Sequence, residues 1–144
     1  MTWEADIKTF ADKTKTDLDT TIRNVVKGIA KIIDQRSPVA DSDYWKKQPK
    51  EHIIGGHYRM NNQYQFGSPA TDEIVGQDPT GSISLRAIEE AVDAAPAAGV
   101  HYLSNNVPYA RRIEDGWSNQ APKGVYELAI IDAEAIIRNE NRKK

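Results

Sequence analysis

Residues Thr2 to Arg36 carry apolar side chains at Trp3, Ile7, Phe10, Leu18, Ile22, Val25, Ile29 and Ile32. Steps of three and four place these positions on one face of a single long α-helix. Val26 and Ile33 thicken the stripe, and Thr14 interrupts it. Glu4, Asp6 and Asp12 lie toward its start and Arg23, Lys27, Lys31 and Arg36 toward its end, the order that complements the helix dipole. Pro38 ends it by pushing Ser37 out of helical geometry. A helix of thirty-odd residues is roughly 50 Å long, more than the width of one small domain. Part of it therefore packs against something beyond its own domain, or it breaks between Thr14 and Thr21. Gly28 is a second weak point.

The rest of the 144-residue chain is enough for one domain around that helix, so the chain is expected to form a single domain over 1–144. Ser37 to Gly56 reads as a loop, with Pro38, Pro49, Gly55 and Gly56 around a polar run. His57 to Phe66 alternates, with Tyr58, Met60, Tyr64 and Phe66 on one side, and predicts a half-buried strand in which Asn62 is a polar intruder. Gly67 to Ser82 reads as an exposed acidic loop. Ser84 to Ala95 predicts a short helix capped by Ser84, with a Leu85, Ile88 and Val92 stripe. Val100 to Asn105 predicts a second strand. Val125 to Asn139 predicts a C-terminal helix whose apolar arc, widened by Ile130 and Ile131, implies cover from two sides. Asn139 to Lys144 reads as a frayed basic tail. The expected fold class is α+β: a small antiparallel sheet packed by the long N-terminal helix (residues 1–36) and the C-terminal helix.

Composition narrows the chemistry. There are no cysteines, which removes disulfides, thiol nucleophiles and cysteine-ligated zinc. Nineteen Lys and Arg against 21 Asp and Glu leave a net charge of -2, too balanced for broad electrostatic capture of nucleic acid. No apolar run reaches the roughly 18 residues of a membrane span. The opening MTWEADIKTF is acidic and polar where a secretory signal is basic and then apolar, so a protein made in a cytoplasm is expected. His52, His57 and His101 show no metal-ligand spacing, and dinucleotide, phosphate-loop and nucleophile-elbow motifs are absent. Neither a cofactor nor a metal is expected. Asp72-Glu73 and Glu89-Glu90 read as solvated charge. Glu114-Asp115 follows Arg111-Arg112, and Arg111 reaches Asp115 at helical i,i+4 spacing.

The most distinctive stretch is NNVPYARRIEDGWSNQAPKG, Asn105 to Gly124. Pro108 suits the first turn of a helix. Tyr109, Ile113 and Trp117 recur every four residues, and Gly116 suits the left-handed position that closes a helix. Such a turn presents aromatic area beside alternating charge. One reading has its aromatics, with Tyr109 and Ile113, fill the core; the other, since Trp, Tyr and Arg are enriched at interfaces, makes it a subunit contact, and the two are compatible. The candidate interface residues are Tyr109, Arg111, Arg112, Glu114, Asp115 and Trp117, with Trp3, Ile7 and Phe10 of the long helix.

The stretch YLSNNVPYARRIEDGWSNQAPKGVY resembles the signature of the tail-completion, or neck, proteins of long-tailed bacteriophages. Asn105 to Ala110, Glu114 to Gly116 and Ser118 to Gly124 match that family's second motif, and Ser37-Pro38-Val39 matches the start of its first. The Asp-Thr-Gly that the family pattern places next is here Ala40-Asp41-Ser42, and about a dozen further residues precede Gly55-Gly56. The order of elements agrees over nearly the whole chain. The resemblance implies a structural virion protein without catalytic residues. It implies a homo-oligomeric, hexameric ring at the head-proximal end of the tail, assembled in the host bacterial cytoplasm with other neck, tail and connector proteins as partners. A tail-terminator or head-closure ring is the near alternative. A small hydrolase using Glu114 and Asp115 and a peptide-binding adaptor anchored by Trp117 are the alternatives from other classes.

Overall fold

The computed structural model describes residues 3–39 and 55–142, with the side chains of 3–11, 14 and 141 excepted. The predicted loop over 40–54 and the side chains of Trp3, Ile7 and Phe10 lie outside the described residues. The elements run α1 (Trp3–Arg36), α2 (His57–Met60), β1 (Asn62–Phe66), α3 (Ser82–Ala94), β2 (His101–Asn105), α4 (Ala110–Glu114) and α5 (Tyr126–Arg142). The fold is α+β, with long helices at both ends of the chain and one two-stranded antiparallel sheet.

Helix α1 is continuous through Thr14 and Gly28. It is the spine of the molecule and buries two adjoining faces. Val26 and Ala30 pack with Ile88 and Val92 of α3. Ile33 packs with Tyr58, Val107, Ala121, Val125 and Ala129, and Ile29 and Ile32 border that group. Leu103 of β2 touches both clusters and so joins them across the sheet. The strands pair in register from Asn62 opposite Asn105 to Phe66 opposite His101.

α5 lies antiparallel on α1. Arg36 bonds Asp132, Gly28 meets the Ile136 side chain, and Asn24 bonds Glu140. Since α5 ends at Arg142, α1 continues N-terminally past its partner for about 17 residues, roughly 25 Å of helix. In that part the described side chains Asp12, Lys13, Lys15, Thr16 and Asp17 are exposed, and Leu18 is 51 % exposed.

Four local expectations are corrected. His57–Met60 is one turn of helix, and the strand begins only at Asn62. Four residues are too few for alternation to distinguish the two forms; here the Gly56 carbonyl takes the Met60 N–H and closes the turn. Helix α3 starts at Ser82, and Ser84 is not its cap. Asp78 takes that role from outside, its carboxylate accepting the Ser84 N–H at 2.8 Å and the Ser84 hydroxyl at 2.9 Å. Burial pushes the Asp78 carboxyl up, but these bonds with the Ile83 and Gly81 amides outweigh it and hold the group below its usual value. α5 runs to Arg142 rather than ending at Asn139. Ile130 and Ile131 are 71 % and 64 % exposed, so the protomer covers α5 from one side only.

The Gly67–Ser82 segment is pinned rather than loose. Asn61, fully buried, donates to the carbonyls of His57 and Ile74 and accepts the Ile74 N–H. His57 binds Glu73 through Nε2 at 2.7 Å and the Gly76 carbonyl through Nδ1 at 2.8 Å. The Glu73 bond, then the Gly76 bond, raise the His57 pKa above 6.5 against the opposing effect of burial. A raised folded-state value gives stabilisation that is complete below about 6.5 and disappears as pH climbs through the higher folded value. Chemical denaturation across roughly pH 6 to 8 should therefore show stability falling with pH. In Glu73→Gln that slope should flatten. An equal slope in the variant, or a His57 proton titration at or below 6.5, would contradict the assignment.

Candidate interaction surface

The Asn105–Gly124 block is built outward from the core. Asn105 donates to the Tyr58 carbonyl and the Asn62 side chain, and its own oxygen accepts the Val107 N–H. This fixes the exit from β2, and Val107 drops into the core. Asn62, the polar intruder of the sequence, is a buried hub. Its oxygen also accepts the Tyr126 hydroxyl, and its amide donates to the buried Ser37 hydroxyl. One side chain thus ties the end of α1, both strands and the start of α5. A buried amide with every group paired is stable where an unpaired one is not.

Helix α4 ends in a Schellman turn. The Gly116 N–H bonds the Ile113 carbonyl and the Trp117 N–H bonds the Arg112 carbonyl. Gly116 has φ +87, and a Cβ there would stand 2.4 Å from the Pro122 carbonyl oxygen, so only glycine fits. The reversal sends Trp117 away from Ile113. Ile113 borders the core, whereas Trp117 is 72 % exposed and Tyr109 38 % exposed. The three do not share one side as the spacing predicts, because the turn ends the helix before Trp117. The Arg112 guanidinium lies 5.1 Å from the Trp117 ring centre, a cation–π contact that holds the indole in place.

The carboxylates separate in role. Glu114 turns inward and caps α5: Oε1 accepts the N–H groups of Val125 at 3.0 Å and Tyr126 at 2.7 Å, and Oε2 that of Glu127 at 3.4 Å. It satisfies donors that a helix start otherwise leaves open, at the positive end of the dipole. Asp115 stays outside and faces Arg111 at 3.5 Å, both well exposed. The hydrolase alternative needs two carboxyls converging on a cleft; these two point to different tasks. Sequence spacing alone gave no sign that Glu114 caps a helix beginning twelve residues later, since the contact depends on the intervening turn.

Beside α4 lies an open groove of about 410 Å³ lined by Tyr58, Leu103, Ser104, Ala110, Arg111, Tyr126 and Ile130, with Asn105 and Glu114. The hydroxyls of Tyr58 and Ser104 are buried and have no hydrogen-bond partner. Burial, helped by the charge of Glu114 and by Tyr109, pushes the Tyr58 phenol well above its ordinary value.

No family model matches the chain, and neither a curated protein nor a solved structure is similar to it.

Among the described residues no three His, Asp or Glu stand close enough to hold a metal ion. No described helix is long and apolar enough to cross a membrane. His101 bridges Tyr64 and the Ala97 carbonyl, and His52 lies outside the described residues. Besides the predicted block, the structure brings Ile130, Ile131 and Ile137 of α5 to the surface, Ile137 at 45 % exposure. Their excess over one helical stripe is the sequence signal for that face.

Proposed function

We propose that the chain is a structural subunit of a phage neck, a tail-completion protein that self-assembles into a ring, finishing the tail and joining it to the head connector. The observation that carries this reading is the Asn105–Gly124 block, where the resemblance resides. It forms a turn closed by Gly116 on which Trp117, Arg111 and Arg112 are solvent-exposed. Two further features support it. The N-terminal part of α1 projects beyond α5, and the outer face of α5 presents isoleucines. The isoleucine face is apt for contacts with copies or neighbours, since an apolar face left open on a protomer marks an interaction site, and the projecting helix supplies length beyond what α5 covers. Closed cyclic symmetry is the common outcome for such subunits.

Electron microscopy of lysates from the cognate phage lacking this protein tests the proposal. Filled heads beside separate, unattached tails are expected. Joined, infectious virions at normal yield would overturn it. Position within the neck, tail-completion or the neighbouring terminator or head-closure ring, follows from where the density lies in a reconstruction of the intact neck.

A further inference from the structure

We infer that His57 is a two-pronged latch over residues 70–77, closed only while its ring carries both protons, so that the segment is released as pH rises. The latch is independent of the neck reading. It goes beyond the stability slope described above, because it names the part of the fold that gives way. Its basis is a count of donors. Nδ1 stands 2.8 Å from the Gly76 carbonyl oxygen, and Nε2 stands 2.7 Å from the Glu73 carboxylate. A carbonyl oxygen only accepts, and so does an ionised carboxylate. Glu73 acts on His57 as a negative charge. Two N–H groups are therefore needed at once, and only the imidazolium has two. A neutral ring keeps one bond and turns a lone pair toward the other oxygen, whichever tautomer it adopts.

The segment has little else to hold it. Across 67–77 no side chain is fully buried; Ala70 and Ile74 are half-buried and Val75 is 92 % exposed. Its main chain is gripped by side chains instead. Gln63 donates to the Asp72 carbonyl, Asn106 to those of Ala70 and Asp72, and Asn61 exchanges two bonds with Ile74. A stretch with few apolar contacts sits at the low end of local stability, where losing one hydrogen bond to a charged group is a large change. The three amides do not titrate, which leaves His57 as the grip that responds to pH. Neighbouring groups are turned elsewhere. Arg59, on the same helical turn, reaches the Pro79 carbonyl and acts on Asp34 of α1. Asp78 is bonded to Ser84, Arg86 of α3 faces Glu90, and Tyr64 of β1 bonds His101. Asp72 is exposed, and Tyr109, just before α4, senses Glu73.

The test is amide hydrogen exchange by NMR on the full chain, corrected for the intrinsic effect of pH, with the Ile74 and Asp78 amides as reporters. They flank Gly76 and bond to Asn61 and to the Gly56 carbonyl. Their protection should fall roughly tenfold or more as His57 titrates, the worth of one hydrogen bond to a charged group, while amides in α1 and α5 stay protected. Ring nitrogen shifts should show both His57 nitrogens protonated at the acid end. Glu73→Gln separates the latch from an ordinary ion pair. A carboxamide can turn its NH2 toward a bare ring nitrogen, so a neutral ring then satisfies both partners and protection should persist at the alkaline end. Loss of a simple ion pair would instead loosen the segment at every pH. His57→Ala should leave it loose throughout. A neutral ring at the acid end, unchanged Ile74 and Asp78 protection through the titration, or a Glu73→Gln segment loose at every pH would each overturn the latch. Those three measurements use the natural chain and Glu73→Gln, so they decide the matter even if His57→Ala fails to fold.

Discussion

Gly56→Ala is expected to abolish stable folding, with a loss above about 4 kcal/mol. Gly56 sits at φ +108, where L-residues are strained. More decisively, its missing Cβ would stand 2.4 Å from the Pro79 nitrogen and 2.5 Å from the Asp78 carbonyl carbon. Those are backbone atoms and have no rotamer to escape into. The Gly56 carbonyl also accepts the N–H groups of Met60 and Asp78, both at 2.9 Å. Moving the backbone to relieve the clash would open α2 and shift Asp78 away from the start of α3. Small domains hold only about 5–15 kcal/mol in total, so little folded protein should remain. Gly67→Ala is the matched control. Its φ is +85, but nothing lies within 4 Å of a Cβ there, so it carries only the conformational cost, about 1–2 kcal/mol. Thermal denaturation by circular dichroism compares the pair. Equal melting temperatures would show that the approach of Gly56 to residues 78 and 79 is not tight.

Glu114→Ala should be the next most damaging change, by about 3 kcal/mol. It removes a charged acceptor shared by three main-chain donors at the start of α5, two of them part-buried. The loss exceeds that of an ordinary cap because the same carboxylate joins α4 to α5. For a chain of this length that is roughly a 10 °C fall in melting temperature. Glu114→Gln, which keeps one oxygen, should fall by about half as much. Asp115→Ala should change stability by less than about 0.5 kcal/mol, its partner Arg111 being solvent-exposed. Were the two alanine variants equally stable, the capping role would be excluded. The comparison also bears on the hydrolase alternative, because loss of any activity in Glu114→Ala without Asp115→Ala would follow from the weakened fold alone.

Much of this architecture was legible in the sequence because it is periodic. Ile29 and Ile33 against one neighbour and Val26 and Ala30 against another follow from a stripe that thickens at Val26 and Ile33. The Gly116 turn was legible because positive φ leaves a compositional mark. Other features depend on contacts that cross the chain. Asp78 caps α3 from four residues upstream of its first residue, and nothing local distinguishes it from the other acids of that segment. Asn62 looks like an error on an apolar strand until Ser37, Asn105 and Tyr126 are placed around it. The helical turn at His57 is too short to announce its period. At the candidate surface, residue types pointed to Tyr109, Arg111, Arg112 and Trp117. Which of them face outward depends on the turn itself, and Glu114 belongs to the helix behind it.

The antiparallel seating of α5 on α1 has a consequence for synthesis. Ile33 of the spine is covered by Ala121, Val125 and Ala129, which leave the ribosome some ninety residues later. Until then only Tyr58 and Val107 are on hand to cover that flank of the nascent helix, and α3 shelters its other side. Ordering is therefore delayed to the final stretch of translation, since closing so long a loop precedes the contacts that reward it.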